Sequence, residues 1–152
     1  MFRKILVPTD GSDASLAGAY RAVPLAKLAS ATLTAVYVQD IYPFAGIGES
    51  NIAGMESYMD TARAQGMKAI ERIGDEARAS GVAIESLIVE DTQAARGIVT
   101  AAQTSGADLI VMGSHGRTGV AKMVLGSVAT KVLALSPIPV LIIKLGGAER
   151  AP

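Results

Sequence analysis

The chain has 152 residues, and its 14 Lys plus Arg balance 14 Asp plus Glu for a formal net charge of zero. That length fits one domain, and without a basic field a general nucleic-acid binder is disfavoured, because such proteins cluster cations against phosphates. Half the residues are hydrophobic, only 4% are aromatic, Cys is absent and His occurs once, so a sizeable core is available while disulfides, thiolate or His-cluster metal sites and aromatic base-stacking platforms lack material.

Taken in chain order, the first short apolar run, Lys4–Pro8, reads as a strand. A helix follows, opened by Ser12 or Asp13 as N-cap, with Leu16, Ala19, Val23 and Ala26 on one face and Pro24 as an expected kink. The second strand covers 32–38. After it, the stretch from Gln39 to Met55 is too long for an ordinary connection. It mixes Pro43, Gly46, Gly48 and Gly54 with Ile41, Tyr42, Phe44 and Ile47, and reads either as a functional lid or as a variable surface loop. A helix over 56–79 repeats Met59, Ala62, Gly66, Ile70, Ile73 and Ala77 at spacings of three and four and stops at Gly81. Met55, Met59 and Met67 are better read as core filling than as a ligand box. A third strand over 83–89 leads to a helix over 92–105 with Ala95, Ile98 and Ala102 inward, then to a fourth strand over 108–112. The last helix, 127–135, is stopped by Ser136-Pro137, and the fifth strand is Val140-Leu141-Ile142-Ile143-Lys144-Leu145.

Strands alternating with helices predict an α/β fold: one open, five-stranded parallel sheet in the order 3-2-1-4-5, with helices on both faces, in a Rossmann-like arrangement. Because most runs are apolar nearly throughout, the strands are expected to be buried on both faces, the fifth least. One domain over 1–146 is expected, with 147–152 as a loose tail. No run approaches the ~20 apolar residues of a membrane span, and Met1-Phe2-Arg3-Lys4 leads straight into a strand rather than a secretory signal. A soluble protein of the cytoplasm, without a membrane partner, fits these features.

In open parallel sheets, ligands bind at the carboxyl ends of strands where the strand order reverses, here between strands one and four. The loops that end there are the most unusual in the chain, Val7-Pro8-Thr9-Asp10-Gly11-Ser12 and Met112-Gly113-Ser114-His115-Gly116-Arg117-Thr118-Gly119. Three glycines let the second loop turn its amides toward a ligand, as a phosphate nest requires. Gly126-Ser127 then opens a helix whose N-terminus favours an anion, with Arg117 and Lys122 nearby in sequence. Neither a Walker A motif nor a dinucleotide GxGxxG motif occurs. Asp10 reads equally as a ligand contact or as a cap of the first helix. Ser127 is a plausible N-cap that would also face an anion, and Gly126 could serve tight packing alone. His115 as a catalytic base is the weaker reading, and a hydrogen-bonded bystander the stronger one. Asp40 fits loop solvation better than ribose binding, since the matching glycine fingerprint is missing.

The spacing Gly, two residues, Gly, nine residues, Gly-Ser is met by Gly113, Gly116, Gly126 and Ser127. With Ile5-Leu6-Val7-Pro8-Thr9-Asp10-Gly11-Ser12 at the start and Pro139-Val140-Leu141-Ile142-Ile143 at the end, the chain resembles the ATP-binding subgroup of the universal stress proteins over nearly its whole length. The resemblance implies a nucleotide-binding domain like that of the adenine nucleotide α-hydrolases, acting as a nucleotide-dependent stress-response or signalling module. It implies that Asp10 contacts the ribose side, that the Val38 backbone reads the adenine edge, and that Gly113 lies against the ribose. Gly116, Gly126, Ser127 and the amides of Val128 and Ala129 would hold phosphates, with Pro8, Thr9, Met112, His115 and Arg117 completing the nucleotide-binding set. Ala129 stands where a hydroxyl residue is expected, which removes one phosphate contact. ATP is the expected ligand, with ADP or AMP as variants and Mg²⁺ or Mn²⁺ bridging phosphates. No residue is assigned as catalytic or as a metal ligand, and the alternative reading is a slow ATPase or nucleotidyl-transfer enzyme. The fifth strand would be an apolar sheet edge, so a homodimer through 140–145 is expected both from that edge and from the resemblance.

Overall fold

The structure, a computed structural model, describes residues 1–41, 52–115 and 125–144. Its elements in chain order are β1 (Lys4–Pro8), α1 (Asp13–Ala29), β2 (Thr32–Asp40), α2 (Ile52–Ala79), β3 (Ile84–Asp91), α3 (Ala94–Ser105), β4 (Leu109–Gly113), α4 (Ser127–Leu135) and β5 (Val140–Ile143). The strands form one sheet in the order β3-β2-β1-β4-β5, with every pairing parallel. That is the predicted α/β topology, and its order reverses between β1 and β4.

Alternation along the strands sorts the core into two layers. Ile5 and Val7 of β1, Leu33, Ala35 and Tyr37 of β2, and Leu109 and Val111 of β4 pack with Leu16, Ala19, Val23 and Ala26 of α1 and with Ile70, Ile73 and Ala77 of α2. On the opposite face, Leu6, Val36, Ile110 and Met112 pack with Ala95, Ile98 and Ala102 of α3 and with Ala129 and Val132 of α4. Each buried Leu, Ile or Val stabilises by about 1.5–3 kcal/mol, so the central strands carry most of the hydrophobic drive.

Several boundaries differ from the sequence reading. α2 starts at Ile52 rather than 56, and its burial begins only at Gly66; periodicity marks the part of a helix lying on the sheet, not the turns beyond it. β2 reaches Asp40 because its ladder with β3 continues to Asp40↔Asp91, whereas its ladder with β1 stops at Pro8↔Val36. β3 is not buried on both faces: it is an edge strand with Glu85, Ser86 and Glu90 exposed, and charges on an edge discourage further pairing. Pro24 sits inside α1, whose helix is assigned through it without a break. The connection over 42–51, Leu145 of the expected fifth strand and the expected tail at 147–152 lie outside the described residues.

α1 ends on Ser30 in the left-handed region, φ 53°. The Ser30 amide donates to the Lys27 carbonyl at 3.2 Å and the Ala31 amide to the Ala26 carbonyl at 2.9 Å, so the last carbonyls are satisfied at the expense of a strained serine. Ser30→Gly is therefore expected to raise stability by about 0.5–1 kcal/mol, the relief of the left-handed strain exceeding glycine's extra chain entropy. Urea unfolding measures it, as a higher midpoint at unchanged slope.

Candidate functional site

The turn between β1 and α1 is built by a run of small hydroxyl and carboxyl side chains. Ser12 is the N-cap of α1, accepting the Ser15 amide at 3.2 Å. Asp10 is not the helix cap: its Oδ1 accepts the Ser12 amide at 2.9 Å and the Ser12 hydroxyl, an Asx turn one step before the helix. Beneath it Thr9 and Ser15, both buried, join their hydroxyls at 3.0 Å. The Thr9 oxygen accepts the Gly11 amide and the Ser15 oxygen accepts the Asp10 amide. Sequence reasoning missed Ser15, whose role depends on a partner six residues back.

The same turn rests on the end of β4. A Cβ on Gly18 would lie 2.7 Å from the Gly113 nitrogen, and one on Gly113 would lie 2.7 Å from the Ala14 carbonyl oxygen. Backbone lies on backbone there, so both positions require glycine and the loops after β1 and β4 are drawn to one crevice. Gly113 has this packing role irrespective of any ligand. Met112, just before it, is buried in the layer under α3 and α4.

Beyond Gly113, the Ser114 amide donates to the Ile143 carbonyl at 2.9 Å, and the Ser114 carbonyl accepts the Gly126 amide at 2.7 Å. Nδ1 of His115 lies 3.0 Å from the Ser114 hydroxyl, and its Nε2 is buried without a hydrogen-bond partner among the described residues. Gly126, not Ser127, is the N-cap of α4, with extended dihedrals and no side-chain cap bond, and Ser127 is the first helical residue. A Cβ on Gly126 would stand 3.0 Å from the Ser114 oxygen, so this glycine also packs tightly. The first amide to close a turn here is that of Thr130, to the Gly126 carbonyl at 3.0 Å. The amides of Ser127, Val128 and Ala129 therefore form the first turn, which has no intrahelical carbonyl to bond, and with the helix dipole they suit an anion. Gly116, Arg117 and Lys122 lie outside the described residues.

Val38 lies within β2, two residues before its end. The Thr9 amide donates to the Val36 carbonyl at 2.9 Å, so even-numbered residues of β2 aim their backbone groups toward β1. Pairing with β1 stops at Val36, which leaves the Val38 N–H and C=O aimed past the end of β1, at the same crevice. They offer one donor beside one acceptor, enough to read the edge of a flat heterocycle. The next residue, Gln39, is 2% exposed. Its Nε2 donates to the Met59 carbonyl at 3.2 Å and its Oε1 is unpartnered among the described residues. Asp40 is exposed at the strand end. Pro8 and Thr9 are buried directly below the Asp10 turn.

A family model described as the universal stress protein family matches residues 1–144. The chain belongs to the universal stress protein family. It is 38% identical over 144 residues to a universal stress protein of Methanocaldococcus jannaschii, covering 95% of this chain and 83% of that one. Among solved structures, the universal stress protein UspA from Lactobacillus plantarum superposes with a TM-score of 0.83 at 27% identity, covering 93% and 97% of the two chains. A universal stress protein solved in complex with cAMP superposes with a TM-score of 0.66 at 27% identity, covering 95% and 98%. The superposition over nearly the whole chain accords with the strand order found here. Among the described residues no helix is long and apolar enough to cross a membrane, and no group of three or more His, Cys, Asp or Glu is arranged to hold a metal ion.

Electrostatics also fix the rim of the crevice on the β3 side. Arg96 Nε and Nη2 donate to the two oxygens of Asp91 at 3.0 and 2.7 Å, and Asp91 Oδ1 accepts the Gln93 amide at 2.8 Å. The Arg96 hydrogen bonds hold the Asp91 carboxyl below the ordinary carboxylate range, against a smaller opposing push from burial. Because the folded pKa lies below the unfolded one, this stabilisation is complete above the unfolded value near ~3.9 and is lost as pH falls through the folded value. Asp91→Asn is expected to be less stable than wild type at pH 7, with the gap closing progressively below about pH 4. Urea denaturation across that range tests it; a gap independent of pH contradicts the assignment.

Proposed function

We propose that this universal stress protein is an ATP-binding module whose nucleotide occupancy changes its shape or its choice of partner, in a stress-response or signalling role in the cytoplasm. The observation that carries this reading is the pairing, at one end of the sheet, of the outward-aimed Val38 backbone with the first-turn amides of α4. One suits a base edge and the other an anion, which is the division within a nucleotide. Asp10, fixed by Ser12, takes the ribose between them, with Pro8, Thr9, Met112, Gly113 and His115 around the sugar and the start of the phosphate chain. Gly116, Gly126, Ser127, Val128 and Ala129 hold the phosphates, and Arg117 adds charge. The cAMP complex of a family member supports a nucleotide as the ligand class.

A divalent ion such as Mg²⁺ or Mn²⁺ fits this donor set as an ion carried on the phosphates, because amides and hydroxyls predominate and Asp10 supplies one carboxylate. When bound it would supply neutralisation of the polyphosphate charge that the amides provide only in part. The site is read as a binder rather than an enzyme, and hydrolysis far slower than an ordinary enzyme rate of ~10 s⁻¹ is expected. Calorimetry with ATP and Mg²⁺ should give one site per chain. Gly126→Ala should weaken ATP at least tenfold, since its methyl meets the Ser114 carbonyl and displaces the α4 amides. Unchanged affinity in a folded Gly126→Ala protein would sink the phosphate assignment.

The second element of the proposal is a homodimer through the strand at 140–145. Among the described residues β5 pairs on one side only, and the carbonyls of Ile143 and of Pro139 just before the strand face β4, which turns the backbone groups of Val140 and Ile142 to the open edge. Leu141 is 41% exposed and the neighbouring α4 exposes Val128, Leu133 and Leu135, an apolar rim suited to a second copy about a twofold axis. Light scattering at micromolar concentration should give twice 15.6 kDa. Ile142→Pro removes an edge donor without touching a β4 hydrogen bond, so it should weaken the dimer at least tenfold; a monomeric wild type contradicts the proposal.

A further inference from the structure

The segment of β2 that carries Val38 is held from both faces of the sheet by helix backbone. On one face, a Cβ at Gly66 of α2 would stand 2.6 Å from Cγ of Tyr37. On the other, a Cβ at Gly97 of α3 would stand 2.7 and 3.1 Å from the two γ-carbons of Val38 and 3.2 Å from Cβ of Asp91. The side chains of successive strand residues thus sit in successive glycine notches, each against helix backbone with no helix side chain in between. The Asp91–Arg96 pair and the Asp91–Gln93 bond anchor the start of α3 to the end of β3, which fixes Gly97 relative to the strands.

The Gly97 notch lies where β2 has lost its β1 partner, since that pairing ends at Val36. A strand supported on only one edge is free to tilt, and the Val38 side chain in its notch opposes that tilt. Val38 is branched at Cβ and has little rotamer freedom, so displacing its methyls displaces its backbone. We infer that Gly97 is a positioning residue for base recognition: its missing side chain seats Val38 and thereby fixes the Val38 N–H and C=O at the edge where the base is read. The inference rests on the nucleotide reading above and adds a residue outside the glycine-loop motif.

The test measures ATP, adenosine and inorganic tripolyphosphate by calorimetry on the full chain, with circular dichroism to verify folding. Gly97→Ala overfills the notch and should weaken ATP and adenosine at least tenfold while leaving tripolyphosphate within twofold, because the phosphate end is built on α4. Val38→Ala empties the notch and should weaken adenosine about threefold through lost preorganisation. In the double variant the methyl on α3 refills space vacated by the strand, so it should bind adenosine at least threefold more tightly than Val38→Ala. This comparison decides the matter even where Gly97→Ala alone does not fold. A purely structural Gly97 would lower stability without separating adenosine from tripolyphosphate, and that result overturns the inference. So does a double variant no tighter than Val38→Ala. Failure of the wild type to bind ATP would instead remove the nucleotide reading itself.

Discussion

The contact between α1 and the end of β4 is made of main chain. Gly18 and Gly113 leave no room for even a methyl group, and the Ala14 carbonyl occupies the volume that a side chain on Gly113 would need. This closeness draws the first turn of α1 over the carboxyl end of β4, so that the Asp10 turn and the Ser114–His115 loop share one crevice. A single added carbon at either position has only backbone to displace, and protein interiors pack too densely to absorb it without a shift of the helix. The remaining features of the site depend on that spacing.

Three levels of organisation meet at the crevice. The strand order reverses there between β1 and β4, and because β1 pairs only as far as Pro8↔Val36 while β2 runs on to Asp40, the end of β2 has no strand neighbour on its β1 side among the described residues. Hydrogen bonds among Thr9, Asp10, Ser12 and Ser15 fix the turn, replacing flexibility with a part-buried polar network whose members support one another. Glycines then bring helix backbone against strand backbone at Gly18 and against the strand side chains of Tyr37 and Val38 at Gly66 and Gly97. The result is a rim of main-chain donors and acceptors held by packing rather than by charge, in keeping with a neutral chain. A site of this kind orients its ligand through preorganised dipoles.

The two sheet edges are handled differently. β3 exposes Glu85, Ser86 and Glu90 and carries a Lys4–Glu85 ion pair at 2.8 Å, features that oppose the addition of another strand. β5 carries no charged residue between Val140 and Ile143 and adjoins the exposed leucines of α4. Polarity and apolarity are thus divided between opposite edges of one sheet.

By itself the sequence determined the strand and helix alternation, the 3-2-1-4-5 order and the family, because periodicity and glycine spacing are local patterns that chain neighbours enforce. It also marked Gly113, Gly126 and the Asp10 turn as special and offered Ser12 as a cap of α1, which the structure bears out. It left Asp10 open between cap and ligand contact and placed the α4 cap at Ser127, one residue late, since several small polar residues there compete for one cap. Only the tertiary structure decided why particular glycines are needed. Gly18 answers to Gly113, Gly66 to Tyr37 and Gly97 to Val38, each partner lying 29 or more positions away in sequence. Such a glycine has an ordinary helical backbone and leaves no trace in propensity or period. Its reason is the volume occupied by a distant residue, and that volume exists only once the sheet and its helices have packed.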